Sequence, residues 1–186
     1  MGEAKRKKTA GLYLVKGGTE TLMAMADRRL RAFEAADKGD LDTLKPLIHT
    51  SHEANWKHPE FGIVLLDKAV NRNDIDMLHF LLGQGANPNA LIECDQLVQW
   101  PTHVGDGMYF SPLASAISDG RAEILAALLE AGADLNLPKW IDGESGECMT
   151  CRDALNDSPE LLAAIEALAL EKTTTKACSP SRTQRI

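Results

Sequence analysis

The chain has 186 residues, 44% of them hydrophobic, and a formal net charge of −7. Its start is basic, but no apolar segment of the kind found in secretory signals follows, and no run of about 18 apolar residues could form a transmembrane helix. These features favour a cytoplasmic protein in which the four cysteines stay reduced.

The charge is unevenly distributed along the chain. Residues 9–171 contain 26 acidic and 12 basic side chains, a net charge of −14, whereas both termini are basic. A body with this charge repels nucleic acids and anionic membrane surfaces and favours partners with a basic surface. The alternative is that the acidic surface serves solubility alone.

The first predicted elements are a basic, disordered N-terminus over residues 1–11 and a cap over residues 12–28. The cap begins with the apolar run Leu12–Val15, continues through a turn at Gly17 and enters a helix from Glu20. We expect this segment to cover one end of the domain that follows.

A pair of helices is best defined in residues 111–136. Ser111 can cap the first helix, and Pro112 suits its first turn. Gly120 breaks that helix, and an apolar stripe at helical spacing marks a second one. Gly132 then provides the left-handed residue that ends the second helix.

The same order of short helix, break and apolar helix recurs along the chain. The breaks fall at residues 39, 73, 120 and 157, with spacings of 34, 47 and 37 residues. These spacings correspond to a period of about 33 residues with two insertions. The predicted repeats cover about residues 29–60, 61–109, 110–147 and 148–170, and residues 171–186 are predicted to be a disordered tail.

This pattern resembles the ankyrin repeat. The resemblance rests on the helix start SPLASA at residues 111–116 and on the turns GANPN at residues 85–89 and GADLN at residues 132–136. The match is strong over residues 63–89 and 110–136 and weaker over residues 29–50 and 148–170. It implies an all-α solenoid of stacked helix-turn-helix repeats, with long loops or hairpins between them, forming one domain over residues 12–170. It also implies a protein that binds other proteins through its concave face and projecting loops.

Three predicted loops between repeats, at residues 49–61, 91–110 and 137–147, each contain one of the three tryptophans. Such a tryptophan either anchors a partner or folds back and holds its own loop in place. The second and third loops are also acidic, and the resemblance places the polar residues before each break on the concave face. The candidate contacts are therefore Trp56, Trp100, Trp140, Asp95, Asp106, Tyr109, Asp142, Glu144, Asn71, Arg72, Ser118 and Asp119.

Catalytic and metal-binding patterns are incomplete. The segment HEANW begins like a zinc-protease motif but has Trp56 where the second histidine is needed. Cys148 and Cys151 could hold zinc only with Cys94 and His103 from the neighbouring loop. Two buried free thiols are the simpler interpretation, so we predict no enzyme, no cofactor and no metal.

The sequence therefore predicts a non-enzymatic interaction module that binds one protein partner with a basic surface. It would act as a monomer or as part of a hetero-complex. Its small size and acidic charge suggest an inhibitor or an immunity protein against a basic toxin. The alternatives are an adaptor subunit of a larger assembly, a self-assembling protein and a zinc-dependent structural module.

Overall fold

The structure is a computed structural model and describes residues 12–15, 18–60, 62–91, 107–108, 111–141 and 148–177. It opens with an antiparallel hairpin of β1 (Leu12–Val15) and β2 (Gly18–Thr21), in which Val15 pairs with Gly18. The long helix α1 (Leu22–Lys38) follows directly.

Two expectations for this region were wrong. The helix begins at Leu22 rather than at Glu20, because Glu20 belongs to the second strand of the hairpin. The predicted boundary between the cap and the first repeat, at residues 28 and 29, falls inside α1. No glycine or proline interrupts residues 22–38, so the two predicted segments form one continuous helix.

The rest of the described chain consists mainly of helix pairs. The further helices are α2 (Leu41–Leu44), α3 (Ser51–Ala54), α4 (Leu65–Arg72), α5 (Ile75–Gly83), α6 (Pro112–Ser118), α7 (Ala122–Glu130), α8 (Cys151–Asn156) and α9 (Pro159–Ala177). The first helices of the pairs pack in the order α1, α4, α6 and α8, and we call these the inner helices. The second helices α5, α7 and α9 pack in a parallel row, and with α2 they are the outer helices. This arrangement confirms the predicted all-α solenoid of stacked repeats.

Left-handed residues separate the helices within three of the pairs. Gly39, Asn73 and Gly120 have φ values of 74°, 56° and 65°. Glycine adopts this conformation without a steric penalty, and asparagine tolerates it better than most residues. Asp40 and Asp74 then cap the following helices by accepting hydrogen bonds from backbone amides. Local chemistry thus explains where three of the four inner helices end.

The first and last pairs depart from this regular form. In the first pair, Pro46 turns the end of the outer helix into a 3₁₀ segment over Lys45–Leu47, because proline lacks the amide needed to continue an α-helix. In the last pair, α9 runs to Ala177, so the start of the predicted tail is helical. No glycine or proline stops this helix between residues 160 and 177, and residues 178–186 lie outside the described chain.

One apolar core runs through the whole stack. Its fully buried side chains come from inner and outer helices alike, for example Leu66 and Leu113 from inner helices and Leu78 and Leu125 from outer helices. Each pair therefore buries its apolar stripe against its neighbours, as expected for a solenoid. Polar residues at the ends of the inner helices, such as Asn71 and Ser118, lie outside this core and are exposed.

Candidate protein-binding surface

Polar residues at the C-terminal ends of the inner helices form a row across the stack. Asn71 and Arg72 are exposed at the end of α4, and Ser118 and Asp119 are exposed at and just after the end of α6. Because the inner helices pack side by side, these residues lie on one side of the stack. They are the concave-face candidates predicted from the sequence.

Arg72 is engaged within the chain. Its Nη1 donates a hydrogen bond to the carbonyl oxygen of Asp37 over 2.7 Å, and the Asp37 carboxylate lies 2.6 Å from Nζ of Lys68. A Cβ atom at Gly39 would lie 2.5 Å from Nη2 of Arg72, so the glycine leaves room for the guanidinium group. Arg72 thus joins α4 to the end of α1.

Arg121 has the same role one repeat later, although it was not among the predicted contact residues. Its Nη1 donates to the carbonyl oxygen of Val70 near the end of α4, and its Nη2 lies 2.8 Å from Oδ2 of Asp119. Carbonyl groups at a helix C-terminus lack helical partners and favour a nearby cation. Among the concave-face candidates in the described chain, the side chains of Asn71 and Ser118 are engaged by no hydrogen bond or ion pair.

The first loop is folded against the helices. Thr50 and Glu53 form a capping box at the start of α3, and Glu53 Oε2 accepts a hydrogen bond from the amide of His49 over 2.6 Å. Glu53 Oε1 lies 2.6 Å from Nη2 of Arg28 on α1. Burial disfavours ionisation of Glu53, but the hydrogen bonds from His49 and Arg28 outweigh this desolvation and lower its pKa. The loop is therefore tied to α1 by a buried ion pair.

Trp56 is not available to a partner, so its predicted role as an anchor was wrong. Its side chain is 5% exposed and belongs to the apolar core. The guanidinium carbon of Arg28 lies 5.1 Å from the centroid of its ring, a distance suited to a cation–π contact. Trp56 therefore holds its own loop in place, which was the alternative interpretation.

Two asparagines join successive repeats at the base of the loops. Asn55 donates to the carbonyl oxygen of Gly85 over 2.9 Å and accepts from the amide of Asn87 over 2.7 Å. Asn89 repeats this pattern, donating to Gly132 over 3.1 Å and accepting from Asp134 over 2.8 Å. These hydrogen bonds connect the loops and turns of successive repeats and thus fix the distance between them.

Replacing Asn89 by alanine should destabilise the protein by about 1–2 kcal/mol, because two hydrogen bonds between repeats are lost. The free energy of unfolding from urea titrations would measure this loss. Asn156→Ala, an exposed substitution at the end of α8, provides the control and should change stability by less than about 0.5 kcal/mol. Equal values for the two variants would contradict the structural role of Asn89.

The second and third loops meet in a small antiparallel sheet. Its order is β3 (Gly107–Met108), β4 (Pro138–Ile141) and β5 (Cys148–Thr150). In the central strand, Trp140 pairs with Met108 on one side and with Met149 on the other. The backbone therefore brings parts of the two acidic loops together, with Trp140 between them.

Most of the predicted loop contacts lie outside the described residues. These are Trp100, Asp95, Asp106, Tyr109, Asp142 and Glu144. For Trp140, the structure describes the backbone. Their role in binding stays a prediction.

The two cysteines of the CxxC segment lie in different environments. Cys148 is exposed on β5, contrary to the expectation that both thiols are buried, and Cys151 is buried at the first position of α8. Burial raises the pKa of the Cys151 thiol, which disfavours its reactive thiolate form. Within the described residues no group of three or more His, Cys, Asp or Glu side chains could hold a metal ion. The other zinc candidates, Cys94 and His103, lie outside those residues.

The acidic excess predicted for the body of the chain lies in the second half of the stack. Residues 9–72 contain nine acidic and nine basic side chains, whereas residues 73–171 contain 17 acidic and three basic ones. The second residue of each outer helix has an exposed carboxylate side chain. A negative charge at this position interacts favourably with the helix dipole. These carboxylates are Asp42, Asp76, Glu123 and Glu160. Three of the four belong to the acidic half.

Comparison with known proteins matches this architecture. The model of the family described as ankyrin repeats (3 copies) covers residues 32–139. The chain belongs to the ankyrin repeat family. The fourth pair, α8 and α9, extends the ankyrin stack beyond the matched residues. No curated protein gives a significant match to the chain.

Ankyrin repeats indicate a protein–protein interaction module, and the family is generally non-enzymatic. None of the helices in the described part of the chain is long and apolar enough to span a membrane. The surface described above is thus the place to seek a protein partner.

Proposed function

We propose that this ankyrin-repeat protein is a non-enzymatic, cytoplasmic module that binds one protein partner with a basic surface. The partner would contact the second half of the stack and the adjoining end of α4, through the concave face and the second and third loops. The observation that carries this proposal is the confinement of the acidic excess to residues 73–171.

The negative charge of the second half is offset by few basic side chains in the same half. Of its three basic side chains, Arg121 is paired with Asp119, and Arg152 donates to the side chain of Asn136 over 3.3 Å. Exposed carboxylates include Asp76, Glu123 and Glu160. Such a one-signed surface accelerates the approach of a basic partner and fixes its orientation.

Affinity needs buried apolar area in addition to charge. Tryptophan is a favoured anchor at protein interfaces because it buries a large area with few rotatable bonds. Trp140 lies on β4, the central strand of the three-stranded sheet, and Trp100 belongs to the adjacent second loop. We propose these two side chains as anchors, with Asn71 and Ser118 as polar contacts on the concave face.

An inhibitor or immunity protein against a basic toxin is the specific form that we propose for this activity. A small acidic module can cover a basic active surface without any catalytic group of its own. The alternative is an adaptor subunit of a larger assembly, which would bind its partner constitutively.

The proposal is tested by capturing the partner from cells that express the protein and measuring association rates with the purified partner. Glu123→Lys should slow association about tenfold at low salt, because it reverses a charge in the acidic half. Asp42→Lys reverses the charge at the equivalent helix position in the neutral half and should leave the rate nearly unchanged. Trp100→Ala/Trp140→Ala should mainly accelerate dissociation.

Each of these measurements can contradict the proposal. Equal rates for Glu123→Lys and Asp42→Lys, or association that does not slow with salt, would exclude electrostatic recognition by the second half. Unchanged dissociation of the double tryptophan variant, with its fold confirmed by circular dichroism, would show that the anchors lie elsewhere.

A further inference from the structure

A groove lies between the outer elements of the first and second helix pairs. It has a volume of about 390 Å³ and is lined by Lys45, Ile48, His49, Phe80 and Gln84. Volumes of roughly 300–1,000 Å³ are typical of sites that bind small molecules. The groove, which we call the outer groove, therefore has room for a small ligand.

Pro46 explains why this groove exists. The outer helices of the first two pairs begin at equivalent positions, directly after their aspartate caps. Helix α5 continues to Gly83, whereas the first outer helix becomes a 3₁₀ segment at Pro46 and ends at Leu47. The next residue, Ile48, is already extended, with a φ of −118° and a ψ of 110°. The last turn of α5 thus lacks a helical neighbour on this side, which leaves the groove open.

The polar side chains of the outer groove are free to bind a ligand. Those of Lys45, His49 and Gln84 form no hydrogen bond or ion pair within the described part of the chain. Lys45 and His49 are exposed, and Gln84 is half-buried. Their ammonium, imidazole and amide groups all carry N–H donors, and none of the described residues that line the groove is acidic. The outer groove therefore favours a ligand with a negative charge.

The rest of the lining is apolar. Ile48 is 2% exposed, and Phe80 is half-buried and packs against the core. An aromatic ring such as that of Phe80 offers a large, rigid contact surface to another apolar group. A ligand that fits the groove should therefore combine an apolar body with its negative charge.

The C-terminal end of α5 lies beside the groove, and helix C-termini disfavour anions because their last carbonyl groups carry partial negative charge. Here the carbonyl oxygen of Leu81 accepts a hydrogen bond from the amide of Ala86 over 3.0 Å. The carbonyl oxygen of Leu82 accepts one from the amide of Gly85 over 2.9 Å. These bonds reduce the opposing charge, and the full positive charge of Lys45 outweighs what remains.

We propose that the outer groove binds a small organic acid whose apolar body is an aromatic ring or a short alkyl chain. The apolar body lies against Ile48 and Phe80. The carboxylate accepts hydrogen bonds from the side chains of Lys45, His49 and Gln84. Hydrogen bonds to an ionised acceptor are roughly twice as strong as those between neutral groups, so the charge should decide which ligands bind.

This site is separate from the proposed protein-binding surface. The outer groove opens at the C-terminal ends of the outer helices, where α5 ends at Gly83. The concave-face residues Asn71 and Ser118 lie at the opposite end of each helix pair, beside the N-terminal ends of the outer helices. Binding of the acid therefore does not depend on the proposed protein partner.

The test is an NMR titration of the full-length protein with phenylacetate, which has both the ring and the carboxylate. We expect saturable shifts of the backbone amide signals of Lys45, His49 and Gln84. A ligand of this size should bind with a dissociation constant of roughly 1 mM. Phenylacetamide has nearly the same shape but no charge, so it should bind about fivefold more weakly.

Three variants make the assignment specific. Gln84→Glu places a carboxylate at the groove without changing the shape of the side chain, and repulsion should weaken phenylacetate binding about tenfold. Lys45→Met removes the cation but keeps most of the apolar stem, and should weaken binding about fivefold. Lys38→Met, at an exposed lysine of α1 that does not line the groove, is the matched control and should leave the affinity unchanged. Circular dichroism would verify that each variant keeps the fold.

Several results would overturn the proposal. The absence of saturable shifts up to about 20 mM phenylacetate would show that the groove does not bind such acids. Equal affinity for phenylacetamide, or unchanged binding to Gln84→Glu, would exclude recognition of the carboxylate at this place. Shifts confined to other parts of the chain would place the ligand elsewhere. Tighter binding of a capped phenylalanyl-glutamate peptide than of phenylacetate would assign the groove to an acidic segment of a protein instead.

Discussion

Replacing Asp67 by asparagine is expected to stabilise the protein at pH 8 by about 1–3 kcal/mol, because it removes a buried negative charge. Asp67 is 3% exposed, and neither of its carboxylate oxygens accepts a well-formed hydrogen bond; the backbone amide of Val64 interacts with the carboxylate only weakly. Burial raises its pKa from 3.8 to about 7, although the amide of Val64 and the charge of Lys68 oppose the rise.

The position of Asp67 in its helix explains this environment. It is the third residue of α4, the position at which Glu53 in α3 and Asp153 in α8 complete capping boxes. Those two acids face threonine caps, whereas the cap of α4 is Val64, which has no hydroxyl group. Asp67 thus occupies a capping position without the reciprocal partner.

The gain from Asp67→Asn should depend on pH. A carboxyl group whose pKa is raised by folding contributes most to stability below its unfolded pKa, near 3.8, and loses that contribution as pH rises through about 7. The complete shift corresponds to roughly 4 kcal/mol, an upper limit, since the asparagine amide is itself buried. Urea unfolding at pH 5 and pH 8 should therefore show the larger gain at pH 8.

Asp76→Asn, at an exposed carboxylate of α5, is the matched control and should show no comparable difference between the two pH values. A pH-independent effect of Asp67→Asn would contradict the buried-charge account, as would destabilisation at pH 8.

Replacing Arg28 by alanine is expected to destabilise the protein by about 3–5 kcal/mol, because it leaves Glu53 buried without a counter-ion. Glu53 is 2% exposed and lies 2.6 Å from Arg28. The substitution also removes the hydrogen bond from Arg28 to the carbonyl oxygen of Leu47 and the contact with Trp56. Guanidinium unfolding monitored by circular dichroism would measure the loss.

Two comparisons make this prediction specific. Arg31→Ala, at an exposed residue of the same helix, should cost less than about 0.5 kcal/mol. Folding lowers the pKa of Glu53, so its contribution is present above the ordinary value of 4.5 and is lost as pH falls through the folded pKa. The Arg28→Ala variant should therefore lose less stability than the wild-type protein as the pH falls through this range. Equal costs for Arg28→Ala and Arg31→Ala would refute the ion-pair role.

The repeated helix breaks could be predicted because their causes are local. A glycine or asparagine at a left-handed position, such as Gly39 or Asn73, stops a helix within one or two residues. Ser111 caps α6 through the amide of Ala114, as its place before Pro112 indicated. The lengths of α1 and α9 were harder to predict, because an uninterrupted run of residues that favour helix does not show where the helix begins or ends.

The candidate surface was less predictable, because its residues are defined by contacts between distant parts of the sequence. Arg121 reaches a carbonyl group 51 residues earlier, and Arg72 reaches one 35 residues earlier. Trp56 is buried partly by Arg28, which lies 28 residues earlier in the chain. A sequence pattern shows that such residues are polar or aromatic, but their partners depend on how the repeats stack.

The uneven charge of the solenoid also gives it a permanent electric dipole moment. The stack follows the order of the sequence, so its first half is neutral and the negative pole lies towards the last repeats. A single copy should therefore rotate in the field of a basic protein before the two surfaces touch. Dielectric relaxation of the protein in solution should reveal this moment.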